Sequence, residues 1–418
     1  MQLEKYSIGI GDRFGREGVA QMEAIIAAQK RGVEITPVWN KSNREHTIVG
    51  TLPDDVRREA DHAVQATGWK GSYRVDADHI GVKTVDKFIA SADFFTLDVA
   101  DFIGLPASDT ELDAFTASLS AFKGELKIPG IAKSFTVTDD TIRTIGKKYY
   151  AAAKEAGAIY RHILAAKGAG AFIVEVSMDE TDKPQTPLDL FFILAALAGE
   201  GIPLQTVAPK FVGEFHKGVD YIGDPAQFVR EFEEDVLVLA HAVNIFNLPA
   251  NLKLSVHSGS DKFSLYPGMR SALLKHNAGI HLKTAGTTWL EELIGLAAAG
   301  GDGLEVAQEV YAQAYARLDE LCKPYATVVS IDRSKLPSPA VVNGWTSKEY
   351  VDALRHDQSC PAYNVNLRQM LHVAFRIAAE MGERYMSALA RHEKIVGANV
   401  TENILKRHVE PLFLGSSK

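Results

Sequence analysis

Cysteine is nearly missing from this chain. The two present in 418 residues, Cys322 and Cys360, are too few for a disulfide framework and lack zinc-site spacing, so a reducing cytoplasm is the expected compartment. Long hydrophobic runs are missing too. The longest apolar helical stretch, residues 190–197, is too short to span a bilayer, and the opening Met-Gln-Leu-Glu-Lys has no signal-peptide core. There is no basic excess: the net charge of −8 argues against an electrostatic nucleic-acid binder. Internal repeats and low-complexity segments are absent. The early glycines Gly9, Gly11 and Gly15 are spaced G-x-G-x-x-x-G rather than G-x-G-x-x-G, so no NAD site is expected.

What remains is a chain with 46% hydrophobic residues, enough for a large core. Eight short β-rich runs, at residues 6–10, 35–39, 73–76, 94–98, 172–176, 204–207, 252–256 and 279–283, alternate with amphipathic helical patterns. The helical patterns cover 18–31, 53–67, 139–166, 187–198, 225–243, 263–275 and 288–299, several opened by Pro, Ser, Thr or Asp as helix N-termini should be. This alternation predicts an α/β fold, a (β/α)8 TIM-like barrel over residues 1–301. Residues 101–138 are expected as a helical insertion at the mouth after strand four. Residues 302–418 are expected as a mostly helical extension packed on the barrel, with a proline-bearing link at 332–343.

Chemistry in such barrels sits at the C-terminal ends of the strands. Three expected strand ends carry histidine: Asp78-His79, Gly213-Glu-Phe-His216-Lys217, and Val256-His257-Ser-Gly-Ser-Asp-Lys262. Three converging imidazoles suit one divalent ion such as Zn²⁺, Mn²⁺ or Ni²⁺, so His79, His216 and His257 are the expected ligands. His281, inside strand eight, is their competitor. Asp78 beside a ligand, and Glu175 within the apolar run Phe-Ile-Val-Glu-Val, are the expected proton-transfer carboxylates. Helix capping and a buried salt bridge to Lys210 are their structural alternatives. Ser258, Ser260, Asp261, Lys262, Lys283 and Thr284, in glycine-containing turns entering helices, could hold an anionic substrate group together with Lys41, Lys210 and Lys217.

These motifs resemble class II metal-dependent aldolases. More closely, the runs Asp76-Ala-Asp-His-Ile-Gly-Val-Lys83, Phe172-Ile-Val-Glu-Val-Ser-Met-Asp-Glu180, Ala208-Pro-Lys-Phe-Val-Gly-Glu-Phe-His216 and Val256-His-Ser-Gly-Ser-Asp-Lys-Phe263 are similar to the tagaturonate/fructuronate epimerase family. The resemblance covers roughly residues 5–300. It implies Asp78 as proton acceptor, Glu175 as proton donor and the three histidines as ligands of one metal. It further implies inversion at C4 of a keto-hexuronate or ketohexose by retro-aldol cleavage and re-addition. C4 (hexulose numbering) is β to the C2 ketone, so enolisation cannot invert it, whereas a β-hydroxy ketone can break its C3–C4 bond. A class II aldolase that releases the fragments is the alternative; an α-deprotonating 3-epimerase or isomerase, and a sugar-binding barrel without turnover, are the further ones. The expected partner is a small sugar or sugar acid, with neither nucleic acid nor membrane, and the oligomeric state is left open.

Overall fold

A computed structural model describes residues 1–415 apart from 180, 182, 285 and 286. Eight parallel strands close into a barrel. They are β1 (Tyr6–Gly9), β2 (Thr36–Ser42), β3 (Arg74–Ile80), β4 (Phe94–Asp98), β5 (Ile173–Ser177), β6 (Thr206–Ala208), β7 (Lys253–Val256) and β8 (Ile280–Lys283). Each pairs with its sequence neighbours, and β8 closes on β1 with His281 opposite Ser7. The expected runs are all present. β2 and β3 continue several residues further, so Lys41, Asp78 and His79 lie on strands rather than beyond them.

Helices form where capping chemistry meets an apolar stripe. Pro187–Gly199 opens with proline after a Thr186–Asp189 capping box, and Pro225–Phe246 opens on an Asp224 cap. Their apolar faces meet the outward residues of the strands, for example Val174, Val176, Leu254 and Leu282, in the main core. The lumen is different. A small apolar floor of Leu3, Val38, Phe94 and Ile173 gives way to polar side chains toward the C-terminal mouth.

The 101–138 insertion departs from expectation. It holds a helix, Asp109–Ser118, but also a two-stranded hairpin, Gly124–Leu126 with Phe135–Val137. It packs along the outer helices rather than over the mouth: Phe122 meets the rings of Phe191 and Phe246 at 5.2 and 5.7 Å, and Lys133 pairs with Glu234 at 2.8 Å. The mouth is approached instead by the C-terminal extension. Its helices build a second core with Trp289, Leu293 and Ile294 of helix Thr287–Ala299, and its last segment, through Val409, Leu412 and Phe413, joins the barrel core. Residues 365–391 of the extension form three helices, broken at Ala374 and at Gly382, whose φ of +56° stops regular winding. Among the described residues no helix is long and apolar enough to cross a membrane.

Candidate active site

Successive strand residues face opposite ways, so residues two apart share the lumen. On β8 these are His281 and Lys283, on β3 Asp76 and Asp78, on β4 Thr96 and on β5 Glu175. They meet across the barrel at one ammonium. Lys283 Nζ lies 3.0 Å from Asp76, 2.8 Å from Asp78, 3.1 Å from Glu175 and 2.6 Å from the Thr96 hydroxyl. Burial opposes charge on Lys283, but three carboxylates outweigh it and hold the lysine well above its usual range. Burial equally opposes ionisation of Asp78 and Glu175; Lys283, then His79 for Asp78 and His257 for Glu175, keep both well below the usual carboxylate range. One ammonium cannot neutralise three acids, and burial pushes Asp76 up to about 7. Lys283, expected to meet a substrate anion, is therefore already committed to protein carboxylates.

Asp78 and His79 could not both face the mouth from a regular strand. The structure resolves this with a register shift between Ala77 and Ile80 and a left-handed His79 at φ +52°. A bulge re-aims one side chain, and a non-glycine residue held at positive φ marks a place where the surroundings dictate conformation. His79 Nδ1 lies 2.8 Å from Asp78 Oδ1, and His257 Nε2 lies 2.7 Å from Glu175 Oε1. Ionised carboxylates only accept, so these ring nitrogens donate. The opposite nitrogens turn toward Asp179 Oδ1, His257 Nδ1 at 3.2 Å and His79 Nε2 at 3.9 Å. His79, Asp179 and His257 thus offer three ligand atoms within 4.8 Å of one another. Burial opposes protonation of both rings, yet Asp78 raises His79 to about 10 and Asp179 raises His257. A field that favours a proton there also favours a metal cation.

The other expected residues divide. Among the described residues His216 does not join that group: its Nε2 is 3.7 Å from Glu214, its buried Nδ1 has no partner there, and burial lowers its pKa. The carboxylate beside the two imidazoles is that of Asp179, two residues past β5. Glu175, expected as a proton donor, is fully buried, is held ionised by Lys283 and His257, and orients the His257 ring. Lys262, expected to meet a substrate anion, spends its three N–H donors on the carbonyls of His216, Val219 and Ser260. Asp261 is fully buried and pairs with Arg368 and His356 of the extension at 2.9 and 3.1 Å. Lys41 holds the Arg13 carbonyl at 2.7 Å, and Thr284 the Gly9 carbonyl at 2.6 Å. His281 is buried against Ser7 and pushed down to about 3 by burial, below the site. The adjoining Ala285 and Gly286, and Glu180, lie outside the described residues.

Above the triad opens a cavity of about 320 Å³, within the usual range for small-molecule sites. Asn40, Asp78, His79, Asp179 and His257 line it, joined by Lys217, Ser258 and Ser260 from the β6 and β7 loops. The extension contributes Tyr325 and His372, and the 101–138 insertion contributes nothing. No local pattern marks Tyr325 or His372 as site residues. An adjoining cavity shares Asp179, Lys217, His257 and Ser258 and adds Lys210. A larger cavity, about 680 Å³, lies at the opposite barrel end among Leu3, Lys5, Leu252 and Lys253, away from the carboxylate–histidine cluster.

Residues 1–412 match the family model described as UxaE, tagaturonate epimerase. A curated tagaturonate/fructuronate epimerase of Thermotoga maritima is 29% identical over 97% of this chain and 80% of its own length. Crystal structures of the fructuronate-tagaturonate epimerase UxaE from Cohnella laeviribosi share the fold. The form complexed with one glycerol superposes with a TM-score of 0.80 at 24% identity, over 99% of this chain and 82% of that one, and the native form with a TM-score of 0.78.

Proposed function

The chain belongs to the tagaturonate epimerase family, and from that premise we propose that it interconverts tagaturonate and fructuronate by breaking and re-forming the C3–C4 bond. The observation that carries this reading is an ionised carboxylate, Asp78, lining a cavity that also holds two imidazoles and a second carboxylate. The donor set fits a divalent first-row ion. Each histidine gives one nitrogen to the group and its other N–H to a carboxylate, the arrangement that metal-ligating histidines adopt. Bound by His79, Asp179 and His257, such an ion supplies Lewis acidity at the substrate's C2 carbonyl.

The protein's own residues do the rest. Asp78 takes the proton of the C4 hydroxyl; the C3–C4 electron pair stays on C3, conjugated with the C2 carbonyl, and C4 becomes an aldehyde. The aldehyde turns its other face toward C3, the bond re-forms, and the proton returns to the C4 oxygen. No C–H bond is broken. Lys283 keeps Asp78 ionised and fixes Glu175, which orients His257. Tyr325 and His372 of the extension complete the lining of the cavity.

Proton NMR in D₂O on metal-loaded protein tests this. Tagaturonate and fructuronate should interconvert without deuterium at C3 or C4, and chelation should stop the reaction. Deuterium at the inverted carbon would establish an enolising route instead, and accumulating three-carbon fragments a class II aldolase. Metal content tests the ligands: Asp179→Asn should lose the ion and His216→Ala retain it, whereas the reverse pattern returns the third ligand to His216.

A further inference from the structure

The loop after β6 is held to an unusual degree. Over residues 216–219, the His216 and Val219 carbonyls accept from Lys262 Nζ at 2.9 and 2.7 Å, the Lys217 N–H donates to Val328 at 2.8 Å, and the Gly218 carbonyl accepts from Arg368 at 2.5 Å. Lys262 and Arg368 are both almost wholly buried. Taking two cations out of water is costly, and here both hold the backbone around one side chain, Lys217.

Lys217 reaches the cavity wall beside His257, where its Nζ donates to Ser258 Oγ at 3.0 Å. Ser258 is itself held at φ +48°. Among the described residues Lys217 forms no ion pair with a carboxylate, in contrast to the cavity's other deep cations. Arg13 pairs with Glu45 at 3.1 Å, and Lys283 is surrounded by three acids. Arg44 stands at the exposed rim with its guanidinium 4.8 Å from the Tyr325 ring.

We infer that Lys217, with Ser258, binds the substrate carboxylate and is the pivot about which the cleaved aldehyde turns. This rests on the C3–C4 cleavage proposed above. The carboxylate carbon, C6, is two bonds from C4 and leaves with it on the aldehyde fragment. That fragment must make roughly a half turn about C4–C5 without departing. A half turn about C4–C5 leaves C5 and the carboxylate where they are. A compact ammonium that pins the carboxylate therefore holds the fragment while C4 turns, whereas the larger planar guanidinium fork would set the carboxylate at a different distance from C3. Clamping the backbone of residues 216–219 keeps the pivot in place while the fragment moves.

The test uses full-length, metal-loaded protein. Calorimetric titration of tagaturonate gives affinity, and NMR gives the ratio of epimer to free three-carbon aldehyde. Lys217→Met should weaken binding about 10–100-fold, as loss of a charge-assisted hydrogen bond implies, and raise the share of free aldehyde, with metal content and melting temperature unchanged. Lys217→Arg should keep affinity within a few-fold yet still release more aldehyde. Arg44→Met, at the exposed rim, should change neither reading. Unchanged affinity in Lys217→Met, a wild-type product ratio in Lys217→Arg, or a loss that follows Arg44→Met instead overturns the inference. Wild-type protein that binds the keto acid through Lys217 but forms no epimer would sink the proposed function alone.

Discussion

One side chain, Lys283, sets the electrostatics of the site. Through Asp78 and Glu175 it fixes which nitrogen of His79 and of His257 is free to bind a ligand. Losing a partner that orients metal-binding histidines commonly costs about 10–100-fold in metal affinity. Lys283→Met should therefore weaken metal binding by about that factor, measured by titrating apo-protein; because removing it strands three buried acids, the Asp76→Asn/Lys283→Met pair is the informative companion. Unchanged affinity in a folded double variant would falsify the role. The two expected proton-transfer carboxylates should then behave differently. Glu175→Gln should lose metal affinity but regain most of its kcat at saturating metal. Asp78→Asn should remain about 10²–10⁴-fold down in kcat even then, the usual contribution of a general base. Equal losses in both would restore Glu175 to direct proton transfer.

The elements place these side chains by irregularity. The β3 bulge lets adjacent residues share the mouth, and the turn after β7 lays its backbone directly on β8. A Cβ on Gly259 would lie 2.5 Å from Leu282 Cδ1 and 2.8 Å from the Val256 carbonyl, so the turn approaches more closely than any side chain permits. Gly259→Ala should cost about 1–3 kcal/mol in urea unfolding, the range for overpacking, and should lower kcat/KM by displacing Ser258. An unchanged unfolding midpoint would mean that the turn has room to move.

Across the whole molecule, barrel and extension are tied by a buried charge pair. Arg368 donates to Asp261 at 2.9 Å, both side chains wholly enclosed, and also to the carbonyls of Gly218 and Leu354. Breaking one side of such a pair costs about 3–5 kcal/mol, so Arg368→Met should lower stability by that much near neutral pH. The sign with pH follows from Asp261. Burial opposes its charge, but Arg368 and His356 hold its carboxyl well below the usual range, so the pair stabilises above the unfolded value, about 3.9, and that contribution fades as pH falls. The gap between wild type and Arg368→Met should narrow below about pH 4; a constant gap would assign the loss to packing.

The amino-acid sequence alone determined the barrel, because periods of 2 and 3.6 and helix-capping residues are local signals that side-chain burial enforces wherever they occur. It also marked Asp78, His79, Glu175 and His257, since polar residues ending apolar strands have no packing reason to be there. Tertiary structure alone decided which partners those residues meet. Lys283 and Asp78 are 205 positions apart and Lys283 and Thr96 187 apart, and they meet only because strands on opposite sides of a closed sheet face one lumen. The same closure turned two expected anion-binding lysines to other work, Lys283 among acids and Lys262 among carbonyls, and left Lys217 to face the cavity. It drew Asp179 rather than His216 to the two histidines, and set the extension rather than the insertion over the mouth. Pairings of that span leave no periodic trace along a chain, since they depend on how the whole sheet closes and not on any residue's neighbours.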